Sequence, residues 1–338
     1  MTITGFSIII CCYNSQNRII ETLNSLSKLN QDSLLVEIIA IDNNSSDLTF
    51  EFLHKTLPEV GIPFKITRET LSGKANALIT GFEMSKYDKM IVCDDDVLLD
   101  KDYLQVANSF FLKYPQTGIL GGMGILKPEI NLPPWFLKFQ GAYAIGPQNE
   151  LHHSVTSERI CIWGAGAIVK KQAFYDIKKA GFVKFYTGIK EGYRTMSGED
   201  SELCIWIKHV GYKLYYSAHI KYIHNLDTNR INWTHLLSLQ IGFSRSQVYL
   251  YILEQILNCQ KKEIFFDFNK YIIGELKFHS SELLRGFFTV NYFKSLWLAY
   301  VKKKDGYVKT IEYNDHYFKL KEYIQNRKVL KSVFDGLN

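Results

Sequence analysis

Short, continuously apolar runs alternate with amphipathic stretches through the first hundred residues of the chain. Phe6-Ser7-Ile8-Ile9-Ile10-Cys11-Cys12 is rich in isoleucine and almost free of polar positions, which predicts a central parallel strand buried on both faces. Asn14 or Ser15 can then cap a helix whose apolar positions Ile19, Ile20, Leu23, Leu26 and Leu29 share one side. Val36 to Ile41 predicts a second strand ending at Asp42, and Ser46 or Asp47 can cap a helix through Phe50 and Leu53. A third strand is expected over Phe64 to Thr67, followed by a helix from Lys74 to Met84 that turns Ala75, Leu78, Ile79 and Phe82 inward. Met90-Ile91-Val92-Cys93 closes the series as a fourth strand. Strands alternating with helices in this way predict a doubly wound, parallel α/β sheet.

Beyond Asp100 the rhythm changes. Gly118 to Leu126 and Ile160 to Val169 predict strands, with Pro133-Pro134-Trp135 as a break between them. Ser197-Gly198-Glu199-Asp200 opens a helix that carries Leu203, Ile205, Trp206 and Ile207 and stops near Gly211. Two short strand-like runs, Lys213 to Tyr216 and Ile220 to Ile223, precede His224. From about Leu236 the chain reads as helical, aromatic and basic. The expected division is therefore a main domain over residues 1–240 and a C-terminal extension over 241–338.

Charge sharpens that division. Residues 1–260 hold 25 Lys+Arg against 25 Asp+Glu and residues 261–338 hold 15 against 9, so the whole net charge of +6 falls in the last segment. Its lysines are interleaved with aromatics such as Phe265, Phe287, Phe288 and Trp297. No nucleic-acid motif accompanies them, and an anionic membrane surface met by an in-plane amphipathic anchor fits better. The alternative is a helical subdomain that packs its aromatics on the main domain or on a second subunit. Six cysteines show neither metal spacing nor a disulfide framework, and Met1-Thr2-Ile3-Thr4 lacks the basic start of a signal peptide. The expected location is the cytosol, peripheral on the inner face of the cell membrane wherever the extension engages it.

Three consecutive carboxylates, Asp94, Asp95 and Asp96, follow the fourth strand directly. Open α/β sheets keep their ligands beyond the carboxyl ends of their strands. Adjacent carboxylates repel, and they stay ionised most easily when a cation or several hydrogen bonds offset the charge. An arbitrary acidic triplet is more often a solvated turn; this one lies between Cys93 and the apolar Val97-Leu98-Leu99, which favours a divalent metal carrying a phosphorylated ligand. Asp42 ends the second strand, where an acid can reach a ribose or a base, yet the turn Cys12-Tyr13-Asn14-Ser15-Gln16-Asn17 lacks the glycines of a dinucleotide fold and argues against NAD. Glu199 and Asp200 could simply complement a helix dipole. Taken with Asp42 and the triplet they converge on one sheet edge, where a carboxylate can act as general base on an incoming hydroxyl. His224 can offer an imidazole to the same metal. Gly164-Ala165-Gly166 lacks a third glycine and marks close backbone approach instead.

Six ordered blocks taken together carry a more specific signal. They are Ser7 to Asn14, Ile41 to Asp47, Gly73-Lys74-Ala75-Asn76-Ala77, Cys93 to Asp96, Trp163 to Gly166, and Gly198 to Leu203 with Gly211, Tyr212 and finally His224. In these the chain resembles the family 2 inverting glycosyltransferases of the GT-A fold. The resemblance implies a Rossmann-like nucleotide-sugar-binding domain with a mixed, mostly parallel sheet and a helical C-terminal extension, residues 1–100 serving the donor and 101–240 the acceptor. Donor contacts are implied for Cys12, Tyr13, Asn14, Asp42, Lys74, Asn76, Asp94 and Asp95, with Asp42 accepting the imide N–H of a uracil and Asp94 lying near the ribose. Asp96 and His224 would hold Mn²⁺ or Mg²⁺, and Trp163, Gly164 and Ala165 would meet the acceptor. Asp200 would be the general base, with Glu199 its runner-up.

The implied activity is metal-dependent, inverting transfer of one sugar from a nucleotide sugar, most simply a UDP-sugar, to a hydroxyl of a glycan or lipid-linked acceptor in cell-surface polysaccharide or glycoconjugate assembly. Many relatives carry an arginine near the position of Trp206, so that basic contact has to come from elsewhere, with Arg230 and Lys221 as candidates. The Gln-x-x-Arg-Trp signature of processive synthases is absent, because Gln240 and Arg245 are too far apart and no Trp follows. Two rival readings are a sugar-phosphate nucleotidyltransferase, whose glycine-rich basic loop Tyr13 to Asn17 does not provide, and a catalytically silent, membrane-associated scaffold of the same fold.

Overall fold

The structure, a computed structural model, describes residues 3–127, 132–148, 156–158, 161–182, 184, 190–191, 194–195 and 198–258. The basic, aromatic segment over 261–338 and the membrane anchor expected there lie outside the described residues. Two compact units are present, residues 1–189 with 199–231 and residues 190–198 with 232–338.

The first unit begins with the expected alternation: β1 (Ile3–Cys12), α1 (Ile19–Leu26), β2 (Val36–Asp42), α2 (Thr49–Thr56), β3 (Phe64–Arg68), α3 (Lys74–Met84) and β4 (Tyr87–Asp94). It continues with β5 (Val97–Leu99), α4 (Tyr103–Lys113), β6 (Thr117–Leu126), α5 (Phe136–Phe139), β7 (Thr156–Glu158), β8 (Ile168–Lys170) and α6 (Lys171–Lys179). The second unit contributes β9 (Lys190–Glu191) and β10 (Arg194–Thr195). The chain then returns to the first unit with α7 (Glu199–His209) and β11 (Lys213–His224), and α8 (Trp233–Asn258) belongs to the second. The expected division between 240 and 241 falls within α8. Among the described residues no helix is long and apolar enough to cross a membrane.

One sheet runs β3-β2-β1-β4-β8-β6-β11-β5, with β7 pairing β11 beside this path. Its N-terminal side is parallel throughout, since β1 pairs β2 and β4, and β2 pairs β3, all in parallel. Every residue of β2 is buried, including Glu37, whose carboxylate accepts the Ser7 hydroxyl at 2.8 Å and the Lys86 N–H at 2.6 Å. Ile8 and Ile10 of β1 join Ile19, Leu23 and Leu26 of α1 and Leu53 of α2 in the core, while α3 covers the other face of β1 and β2. Removing apolar area from water on both faces is what stabilises such a sheet, at about 25 cal/mol per Å².

Three expectations are corrected. The run Ile160 to Val169 is not one strand: β8 occupies only Ile168–Lys170, and the described residues before it form a turn. Gly166 causes this, with φ of +65° and a neighbour so close that a Cβ would lie 2.8 Å from the Tyr222 ring. The two runs around Ser217 form a single strand, β11, whose register against β6 shifts between Tyr216 and Lys221. The helix caps also differ, for α1 starts after Arg18 and α2 after Leu48. Asp47 still accepts the Thr49 backbone N–H at 3.0 Å, and Ser15 offers its carbonyl to the N–H groups of Arg18 and Ile19.

Candidate active site

Strand register assembles the acids. In the parallel β1–β2 ladder Cys12 stands opposite Asp42, and in the β1–β4 ladder Cys11 stands opposite Asp94, so the two aspartates flank the carboxyl end of β1. After Asp96 the chain reverses into β5, which pairs antiparallel with β11 so that Val97 faces His224. That pairing brings His224 to Asp96.

The three aspartates of the triplet diverge. Asp94 pairs with Lys74 across 2.5 Å at the start of α3. Asp95 turns inward to Ser15 and Arg18, the latter at 2.6 Å. Burial pushes the Asp95 carboxyl above the ordinary range, although its bond to Arg18 works against that shift. Asp96 receives His224 Nε2 at 3.2 Å on one oxygen and Arg230 Nη1 at 3.1 Å on the other. Burial alone would raise its pKa, but these partners hold it down at about 2. His224 is oriented by its other ring nitrogen, Nδ1, 2.8 Å from the Tyr143 carbonyl oxygen. Of the two candidate replacements for a basic group near Trp206, Arg230 thus reaches the acidic cluster. Trp206 itself is buried against Phe182 and His209.

Asp200 occupies the first turn of α7. Its Oδ1 accepts the Ser201 N–H at 2.7 Å and its Oδ2 accepts the Gly164 N–H at 3.2 Å. Burial and the neighbouring Glu199 carboxylate raise its pKa to about 6, against the opposing charge of Lys74. Lys74 stands between the two acidic groups: a Cβ on Gly164 would lie 3.8 Å from Lys74 Nζ and 3.6 Å from Asp200 Cβ. Burial disfavours the ammonium, but Asp94 and Glu199 more than offset it and leave Lys74 more basic than an ordinary lysine. A side chain at position 164 would therefore lie in ordinary contact with both Lys74 and Asp200.

The remaining expected donor residues divide into those at the surface and those in the framework. Tyr13 is 55 % exposed, and Asn14, in the left-handed region with φ of 50°, accepts the Ser46 N–H at 2.8 Å. Asp42 is almost wholly buried, with Ser45 N at 3.2 Å on one oxygen and Arg68 Nε at 3.3 Å on the other. Cys12 points into the core and presents only its carbonyl, which accepts the Asn43 N–H at 2.8 Å. Asn76 is also buried and donates to the carbonyls of Leu71 and Ser72, holding the loop before α3. Of the expected acceptor residues, Trp163 is partly exposed, whereas Ala165 is core. Ser15, Arg18 and Tyr143 escape sequence reasoning. A basic residue in the loop after the first strand was the one available signal for Arg18.

Among the described residues no group of three His, Cys, Asp or Glu side chains is arranged around a metal position. Asp96 and His224 nevertheless supply one oxygen and one nitrogen donor side by side. Here the pair is closed on itself, with His224 Nε2 3.2 Å from Asp96 and Arg230 on the other oxygen, so an ion completed by phosphate oxygens and water would enter by opening that contact.

Comparison with known proteins bears on the fold that carries these residues. The sequence profile described as "Glycosyl transferase family 2" matches residues 7–178, just over half of the chain. The poly-beta-1,6-N-acetyl-D-glucosamine synthase of Staphylococcus epidermidis is 27% identical over 175 residues, 52% of this chain and 42% of that protein. The synthase of the same description from Staphylococcus aureus (strain MSSA476) is 32% identical over 120 residues, 35% of this chain and 28% of that protein. The chain thus spans less than half the length of these relatives. Among solved structures, S. aureus TarS 1-349 in complex with UDP-GlcNAc aligns with a TM-score of 0.55 at 16% identity, over 98% of this chain and 92% of that one. The structure described as S. aureus TarS 1-349 gives 0.54 over the same shares. The mixed, mostly parallel α/β sheet is accordingly that of the GT-A fold.

Proposed function

The chain belongs to glycosyl transferase family 2, and on that footing we propose that it transfers a single sugar, with inversion, from a UDP-sugar to a hydroxyl of a glycan or lipid-linked acceptor. Support for the uridine donor comes from the UDP-GlcNAc bound by S. aureus TarS 1-349 and from the position of Asp42 at the end of β2. Single transfer rests on the missing Gln-x-x-Arg-Trp signature.

The observation that carries the reading is the placing of Asp200 and Lys74 beside Gly164, with Asp94 paired to Lys74. Asp200, ionised above about pH 6, takes the proton of the acceptor hydroxyl at a carboxylate oxygen, while the bare backbone of Gly164 lets that hydroxyl approach. Lys74 and Arg230 contribute positive charge on the side where the nucleotide departs. Mn²⁺ or Mg²⁺ held by Asp96 and His224 would offset charge on the departing diphosphate.

The test is transfer of labelled sugar from UDP-, dTDP- and GDP-sugars to glycan and lipid-linked acceptors, with and without Mn²⁺. UDP-dependent transfer is expected. Transfer from dTDP- or GDP-sugars alone would remove the uridine assignment, and release of pyrophosphate from a sugar phosphate and a nucleoside triphosphate would replace the whole reading with a nucleotidyltransferase.

A further inference from the structure

Asp95 is the middle member of the triplet, and its carboxylate is only 9 % exposed. Asp96 is just as enclosed, at 10 %, so what sets Asp95 apart is the set of groups it meets. Its partners explain why it is there. The Ser15 hydroxyl donates to Asp95 Oδ2, and the same hydroxyl accepts the backbone N–H of Tyr13 at 2.9 Å. Arg18 Nη2 lies 2.6 Å from that same Oδ2 and donates to the backbone carbonyl of Tyr13 at 2.9 Å. Both backbone polar groups of Tyr13 are thus held, through one intermediary each, by a single carboxylate oxygen. Thr22 of α1 adds a bond from its hydroxyl to the Asp95 carbonyl at 3.0 Å, which ties the start of that helix to the same turn.

We infer that Asp95 is a positioning residue which clamps the Tyr13 loop, through Ser15 and Arg18, in the conformation that receives the nucleotide. The inference rests on the uridine-nucleotide reading given above. The backbone of Tyr13 is fixed while its ring stands 55 % exposed beyond Cys12, the residue opposite Asp42. A ring presented on an ordered backbone binds a ligand without first paying the entropy of ordering the loop. The clamp also gives the middle acid a task of its own: Asp94 pairs with Lys74 and Asp96 with His224 and Arg230, while Asp95 secures the loop after β1.

The test uses the full chain carrying Asp95→Asn, with Arg18→Gln as a second variant at the half-exposed partner in case the buried substitution fails to fold. Amide hydrogen exchange is followed over residues 12–18, and UDP affinity is measured by calorimetry. Faster exchange over 12–18, with exchange in β2 unchanged, is expected in both variants. A rise in the UDP dissociation constant of about 10-fold is expected as well, the lower end of what loss of a supporting contact around a ligand site costs. In a Tyr13→Ala background Asp95→Asn should add little, because the loop then has no ring to present. Unchanged exchange over 12–18 in both variants would overturn the clamp, as would fully additive losses of affinity. Accelerated exchange in a protein that binds no UDP even when unaltered would leave the clamp standing and overturn the uridine reading instead.

Discussion

The backbone N–H of Gly164 donates to Oδ2 of Asp200 across 3.2 Å. The contact joins the turn before β8 to the first turn of α7, so one Asp200 oxygen is fixed by that turn and the other by the Ser201 N–H of its own helix.

If Asp200 is the base, Asp200→Asn keeps the shape of the side chain but cannot take a proton. Turnover is expected to fall by roughly 10²- to 10⁴-fold with UDP-sugar affinity retained. In the unaltered protein kcat/KM should rise with pH and level off above about 6, where Asp200 is ionised. The same shift carries a stability sign: a carboxyl whose folded pKa is raised favours the fold while protonated, so that contribution is lost as pH climbs from the ordinary carboxylate value through about 6. Normal turnover in Asp200→Asn combined with loss in Glu199→Gln would move the assignment to Glu199.

Lys74 lowers the pKa of Asp200 by its charge. Lys74→Met should therefore displace the rising limb of the pH profile to higher pH, whereas Lys74→Arg should leave it near its original place. Coincident profiles for the Met variant and the unaltered protein would show that Lys74 does not act on the base.

Metal removal probes the other end of the site. Chelation should weaken UDP-sugar binding, and Asp96→Asn and His224→Ala should each abolish the gain in affinity that Mn²⁺ confers. Equal Mn²⁺ responses in both variants and in the unaltered protein would exclude this pair as the metal ligands.

Asp42 is predicted to read the base. Uracil carries a ring N–H where cytosine carries a bare nitrogen, so the unaltered protein should bind UDP more tightly than CDP, with or without Mn²⁺. Asp42→Ala should erase most of that difference. Retained preference for UDP in this variant would assign base recognition to another group.

The N-terminal half was legible because its strands are buried on both faces and its helices on one, so residues such as Ile8, Ile39 and Ile91 print the fold directly on the sequence. The acids at the strand ends followed from the same logic. Past Asp100 the pattern is harder to read: Ile162 to Val169 is apolar enough for a strand, yet Gly166 bends it, while α4 and α6 have no counterpart among the expected elements although Leu104, Ala107 and Phe111 recur at helical spacing. What no local pattern holds is the pairing of distant side chains. Ser15 and Arg18 on Asp95, Arg230 on Asp96, and the Tyr143 carbonyl beside His224 all depend on how the sheet is ordered.

Arg230 and Asp96 are 134 positions apart in the chain, and His224 reaches the same carboxylate from the end of β11. Synthesis runs from the N-terminus, so β1 to β4 can pair as soon as the first hundred or so residues have emerged, whereas Asp96 has to wait for a partner made much later. Closing so long a loop is among the slower steps in folding a sheet. A nascent chain therefore displays the acidic triplet with Arg18 and Lys74 already beside it but with no imidazole next to Asp96. Until those later residues arrive Asp96 lacks the imidazole and the guanidinium that hold its carboxyl low in the finished fold, so the last contacts to form are also those that settle its charge.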